Sequence, residues 1–520
     1  MNRVFVVMIA SLAALVALFY LLRDAEQSVS LRSTATSSSE NPGGQLHALV
    51  LYCAASNRAV IEAIRTDYEK EFARTVQVQY GASQTLLSAI EVSGTGDLFL
   101  PADDSFLEMG VTKNLIAEQI PIAQMRAVVA VQKGNPKGIR TFADLLKPGI
   151  RLVQANPDAA AVGKITRETL QAIGKWDVLD RATVAYRTTV NDVGNDLAVN
   201  AADAGIVYDA VLHSYPSLEA VQIPELVNTV ASVAIGVVAS AEHPSEALHF
   251  ARYVAANERG LKHYAEHGFQ VGRGDVWSDV PEMSIFAGSM LRPAIEETIT
   301  TFEHREGVRV SRVYNGCGIL VAQMKAGQHP DAYFACDREF MNQVPDLFPA
   351  PVDISENELV ILVQKGNPRN IADLNDLGRD GLRVGLGHEK QCAMGWLTQN
   401  TLKESGVQSE VMKNVTVQTP TGDMLVNQLL TGSLDAAVVY LSNAAGAAEK
   451  LDAVRIQGIQ CAVAVQPFAV SKDTQNPQLT LRFFRHLCSA QSQAAFEAQG
   501  FRWQLKTSSE ASSDTAHSGR

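Results

Sequence analysis

Along the chain, short apolar runs of strand length alternate with stretches in which apolar residues recur every three or four positions. Leu49 to Cys53 reads as a buried strand, and the stretch after it places Ala59, Val60, Ala63, Ile64, Tyr68 and Phe72 on one helical face. Val76 to Tyr80 predicts a second strand, Gln84 to Val92 a second helix and Asp97 to Leu100 a third strand. Such alternation predicts an α/β fold with a parallel sheet under covering helices. Val128 to Gln132 and Ala231 to Ala239 read as crossing strands, so the segment between them is expected to form a second lobe.

The pattern is written twice. Val-Gln-Lys-Gly-Asn-Pro occurs at Val131 to Pro136 and again at Val363 to Pro368, 232 residues later (363 − 131 = 232). At the same offset Ala161-Val162-Gly163 returns as Ala393-Met394-Gly395, Asp203 to Tyr208 as Asp435 to Tyr440, and Gly268-Phe269 as Gly500-Phe501. A long period occurring only twice indicates two complete domains, because solenoid units repeat every 20 to 50 residues or so. At 520 residues the chain exceeds what one core usually organises, and about 225 residues per copy is an ordinary α/β size. The expected organisation is an anchor or signal at 1–23, a Ser/Thr-rich tether at 24–45, domains at 46–270 and 284–504, a linker at 271–283 and a polar tail at 505–520.

Arg3 precedes Val4 to Leu22, nineteen uncharged and mostly apolar residues, about one bilayer crossing. No small-x-small cleavage site follows closely and no cysteine stands there to take a lipid. The segment is read as an uncleaved anchor holding the rest outside the cytoplasm, with a cleaved signal peptide as the alternative. A net charge of −12 argues against a broad nucleic-acid surface. It leaves room for a local anion site built from a few oriented N–H groups.

Candidate chemistry lies where strands hand over to helices. Ser56, in Ala54-Ala55-Ser56-Asn57, and Ser83, in Gly81-Ala82-Ser83-Gln84, both follow strands at expected N-cap positions. Helix N-termini carry unpaired N–H groups and positive partial charge, so two of them with hydroxyls facing one cleft would cradle an oxyanion. The other reading is that both serines only cap their helices. Arg58 would reinforce the field if it faced the cleft, or would simply face solvent.

The order of these segments resembles the periplasmic molybdate-binding proteins, solute receptors of oxyanion ABC importers. The resemblance rests on Ala54-Ala55-Ser56, Gly81-Ala82-Ser83, Asp97-Leu98-Phe99 and Ala102-Asp103, and on the Gly-Ile-Val-Tyr strand that ends at Tyr208. It implies two tandem type 2 periplasmic-binding domains, each of two α/β lobes joined by crossing strands and closing on the ligand by a hinge. It further implies that Ser56 and Ser83 from one lobe, with Val162, Val190 and Tyr208 from the other, hold molybdate or tungstate. The expected partners are the small oxyanion, an ABC permease and, through the N-terminal segment, the membrane. No cofactor and no nucleic acid are expected.

The second copy departs from this pattern. Its candidate positions are Ser289, aligned with Ser56; Cys317, where Ser83 would stand; and Met394, Gly422 and Tyr440, aligned with Val162, Val190 and Tyr208. Five of the six cysteines (Cys317, Cys336, Cys392, Cys461 and Cys488) fall in this copy. Three readings stay open for them: inert buried thiols, a disulfide formed outside the cytoplasm, or a thiol site for a soft metal or redox chemistry, with His388 nearby in sequence. No Gly-x-Ser-x-Gly elbow, Gly-x-x-x-x-Gly-Lys-Ser/Thr loop or His-Glu-x-x-His motif occurs, so an enzyme is not expected. The expected function is extracytoplasmic capture of a tetrahedral oxyanion for import. The alternatives are a tethered sensor or scaffold with diverged clefts, and a second domain carrying a thiol site.

Overall fold

The computed structural model describes residues 47–505. The predicted anchor, the tether and the tail beyond residue 505 lie outside the described residues. Among the described residues no helix is long and apolar enough to cross a membrane.

The first copy contains β1 (Leu49–Ala54), β2 (Val76–Gly81), β3 (Leu98–Leu100), β4 (Ile116–Gln132), β5 (Leu152–Ala155), β6 (Thr183–Arg187), β7 (Ala204–Tyr208), β8 (Leu218–Val221) and β9 (Val230–Val238). They lie in the order β2-β1-β3-β9-β4-β7-β5-β6, with β8 also on β4. Three parallel strands, β2-β1-β3, form one lobe and three more, β7-β5-β6, form the other. The long antiparallel pair β4 and β9 crosses between them.

The second copy repeats this arrangement. After β10 (Gln270–Val271) come β11 (Glu282–Gly288), β12 (Arg309–Asn315), β13 (Ala332–Phe334), β14 (Val352–Gln364), β15 (Val384–Gly387), β16 (Val415–Thr419), β17 (Ala436–Tyr440), β18 (Leu451–Arg455), β19 (Val463–Val470) and β20 (Arg502–Trp503). Their order, β12-β11-β13-β19-β14-β17-β15-β16, is that of the first copy. Each copy buries its own core, one within Leu49–Phe269 and the other within Met283–Phe501. These are two tandem type 2 periplasmic-binding domains.

The repeated hexapeptide owes its identity to a turn. In the first copy Gly134 and Asn135 take φ of 82° and 44°, and in the second Gly366 and Asn367 take 78° and 46°. Glycine and asparagine tolerate this left-handed region best. Each asparagine side chain then clamps the turn by bonding N–H and C=O of one residue, Ile139 in the first copy and Ile371 in the second. The string marks the exit from the crossing strand and does not touch the cleft.

Two expectations shift. The crossing strand begins at Ile116, well before Val128, because irregular register at Glu118 and Ala123 lets it pass Pro121, a residue that reads as a strand breaker. On the helix Arg58–Phe72 the inward face carries Val60, Ile61, Ile64 and Tyr68, while Ala59 is exposed.

The stretch expected to be a linker is tied down on both sides. Gln270 and Val271 pair with β4, and Asp275 accepts the N–H groups of Gln478 and Leu479 at 2.7 and 3.0 Å, capping the helix Pro477–Leu487. A buried charge cluster joins the domains alongside it. Arg482 grips the fully buried Glu306 carboxylate through Nε and Nη2, and Arg252 of the first domain donates to the Glu306 carbonyl. Arg305 reaches Glu118 of the first domain at 2.8 Å. Burial works to raise the Glu306 carboxyl, but the arginines outweigh it and hold the group below its ordinary value.

Candidate functional site

Ser56 follows β1 in a short 3-10 turn, Ala55–Asn57, and Ser83 is the first residue of the helix Ser83–Ser93 after β2. Neither serine acts as a cap. The N-cap residues are Ala54 and Ala82, and neither helix start has a side-chain cap. Ser56 Oγ is buried without a hydrogen-bond partner. Ser83 Oγ accepts the Ala102 N–H at 3.1 Å, which leaves its own proton to donate.

From the other lobe come the starts of the helices Ala161–Ala172 and Val190–Ala198 and the end of β7. The first of these helices also begins without a side-chain cap, so its N–H groups stay directed at the cleft. The second is closed by a capping box between Thr189 and Asp192. Tyr208 is fully buried with its hydroxyl unpartnered, and burial, aided by the nearby Asp103 carboxylate, holds the phenol well above its ordinary pKa. It is a neutral donor. Asp103 is itself engaged by the N–H groups of Ser105 and Ser232.

These groups meet in one small cleft, a cavity of about 20 Å³. Ser56, Ser83, Val162, Val190 and Tyr208 all line it, together with small residues such as Ala102 and Ala160. The structure therefore brings all five first-domain candidates together. Arg58 is not among them: it is exposed and stacks over the Tyr80 ring at 4.5 Å.

The lobes are closed on each other. Gln84 N–H donates to Ala159 C=O across the cleft at 3.0 Å. Lys164 Nζ reaches Ser105 Oγ at 3.0 Å and lies over Phe106. Sequence reasoning missed this latch, because neither Lys164 nor Ser105 stands in a motif. In the second domain Gly318 N–H donates to Gln391 C=O at 3.1 Å, the counterpart of the first of these bonds.

The second cleft needs one correction of register. Strand pairing sets Ala54 against Gly81 and, in the second copy, Gly288 against Asn315, so this lobe repeats at 234 residues (288 − 54 = 234). Met290 therefore takes the place of Ser56, and Ser289 takes that of Ala55. Cys317 does replace Ser83, and its sulfur accepts the Cys336 N–H at 3.1 Å, as Ser83 accepts that of Ala102. In the other lobe the offset is 232, as expected: Met394 stands for Val162, Gly422 for Val190 and Tyr440 for Tyr208. Gly422 packs against Asn443, whose side chain fills the space a larger residue would need. All six cysteines are free thiols. His388 Nδ1 accepts the Lys390 N–H instead of facing the thiols.

Comparison with known proteins gives this arrangement a family. The model of the bacterial extracellular solute-binding proteins matches residues 49–270 and again 283–502. The molybdate-binding protein ModA of Mycobacterium tuberculosis is 28% identical over 221 residues, covering 42% of this chain and 83% of the relative. ModA of Escherichia coli is 31% identical over 175 residues, 31% of this chain and 66% of the relative. Among solved structures, the periplasmic molybdate-binding protein of Azotobacter vinelandii covers 43% of this chain and 99% of its own at 17% identity, with a TM-score of 0.38. With the family model satisfied twice along its length, the chain belongs to the bacterial extracellular solute-binding proteins, as a tandem pair.

Proposed function

We propose that the first domain captures a tetrahedral oxyanion of the molybdate or tungstate type and releases it unchanged to an ABC permease. The observation that carries this reading is the convergence of Ser56, Ser83 and Tyr208, three buried hydroxyls with protons to donate, on one small cleft beside uncapped helix starts. Neutral donors suit a fully ionised dianion, whose oxygens all accept. Relatives named as molybdate-binding proteins favour the same ligand class. Capture is by hinge closure about β4 and β9, with the Gln84–Ala159 and Lys164–Ser105 bonds closing over the ion. The apolar run Val4 to Leu22 would hold the receptor at the outer face of the membrane.

Titration calorimetry of the full chain with molybdate, tungstate, sulfate and phosphate tests this. Ser83→Ala is expected to cost about 1.5–3 kcal/mol, roughly one to two decades in affinity. If Ser56→Ala and Ser83→Ala both bind as the unaltered protein does, the anion reading fails. No binding of any oxyanion would leave a tethered sensor or scaffold as the better account.

A further inference from the structure

Five positions that line the first cleft are sulfur-bearing in the second. Ser56, Ser83, Ala102, Ala160 and Val162 all face the first cleft. Their counterparts are Met290, Cys317, Cys336, Cys392 and Met394, every one of them buried. Cys317 and Cys336 are close together: a side-chain carbon built on Gly288 would fall 3.1 Å from the Cys317 sulfur and 1.9 Å from that of Cys336. The missing Cβ at Gly288, where the first copy has Ala54, is what admits both sulfurs. Cys392 comes from the opposite lobe, as Ala160 does.

The rim has changed in the same sense. Gly316 and Gly318 replace Ala82 and Gln84, and a Cβ there would meet Gln391 O at 2.3 Å and Lys390 O at 1.9 Å. The lobes thus approach more closely than side chains would permit. A cleft narrowed in this way, with Met290 and Cys317 in place of the Ser56 and Ser83 hydroxyls, is poorly suited to a tetrahedral dianion.

We propose that the second cleft is a site for a soft monovalent metal ion, the cuprous ion. Thiol and thioether sulfur together select this ion, whereas zinc takes four ligands from Cys, His and carboxylates. Among the described residues no three Cys, His, Asp or Glu side chains stand ready to hold a metal, so the proposed site draws on thioether sulfur too, which Met290 and Met394 carry at the positions of Ser56 and Val162. Binding replaces an S–H bond by an S–Cu bond and releases the thiol proton to solvent, with no change of oxidation state. One thiolate per cuprous ion gives a neutral unit, the form a buried site tolerates best. The proposal is independent of which anion the first cleft takes.

The test is a competition between the full chain, reduced and kept free of oxygen, and a chromophoric cuprous chelator. One cuprous ion per chain is expected to be withheld from the chelator, with affinity rising about tenfold per pH unit for each proton displaced. Cys317→Ser with Cys336→Ser should lower retention at least tenfold, and Met290→Leu with Met394→Leu should weaken it while keeping the apolar volume. Circular dichroism and the melting temperature of each variant separate loss of the site from loss of the fold. Failure of the unaltered chain to compete, retention undiminished in the well-folded cysteine variant, or equal retention of zinc would each overturn the proposal.

Discussion

Ser56 and Ser83 were legible as residues, while their spacing alone left two roles open, helix cap or anion donor. A serine after a strand and before a helix reads as a cap, yet Ala54 and Ala82 hold the N-cap positions and the serine oxygens are left for another partner. What the sequence could not resolve was register. From β8 and β9 to their counterparts β18 and β19 the offset is 233 (451 − 218 = 233), and the 232 measured on the hexapeptide applies from the first crossing strand to Tyr208. Before that strand the offset is 234, because the first copy is two residues longer between Ala102 and the crossing strand. That difference moves Ser289 off the Ser56 position and puts Met290 on it. Asp337, the counterpart of Asp103, carries a residue-scale prediction. Burial raises its carboxyl from 3.8 to about 6. Because the folded form holds its proton more tightly than the unfolded chain, this group makes stability fall as pH rises from about 4 through about 6. Asp337→Asn should flatten that part of the profile and raise the melting temperature at neutral pH, as thermal unfolding at several pH values would show. An unchanged pH profile would contradict the assignment.

At the scale of elements, the alternation of strand and helix predicted both sheets, and the repeated Ala-Val-Gly and Ala-Met-Gly strings have a packing cause. A Cβ on Gly163 would lie 2.4 Å from the Ala155 carbonyl, and one on Gly395 would lie 2.5 Å from that of Gly387. In each domain the helix start rests directly on the end of the strand beneath it, and this contact aims the helix N-terminus at the cleft. Gly163→Ala is expected to cost about 1–3 kcal/mol by overpacking and to weaken ligand binding as the helix shifts. Denaturant unfolding and a binding titration on the same variant would check both effects, and wild-type values for both would contradict the contact. Elements held by long-range partners were less legible. The early part of β4 was hidden by Pro121, and the Lys164–Ser105 latch joins residues that share no motif.

At the scale of the whole molecule, the two domains are locked together and not merely strung in series. The expected linker is bonded to both, and Glu306, Arg482 and Arg252 form a buried ionic cluster between them. No sequence pattern announces this cluster, since its members lie on separate helices in different copies. Glu306→Ala would strand two buried guanidinium groups and is expected to destabilise the chain by about 3–5 kcal/mol, measurable by denaturant unfolding. Its contribution is present at neutral pH and is lost as pH falls below the ordinary range of a glutamate carboxyl. The second domain also faces the hinge of the first: Gln478 and Arg485 line a cavity with the crossing-strand residues Gln119, Pro121 to Gln124 and Ser232 to Ala234. The central claim is that one chain carries one oxyanion site, in the first cleft. Anomalous diffraction at the molybdenum edge, from crystals of the full chain grown with molybdate, tests it most directly. The account predicts one peak per chain, within hydrogen-bond reach of Ser56, Ser83 and Tyr208. A peak in the second cleft, or none in the first, would contradict it.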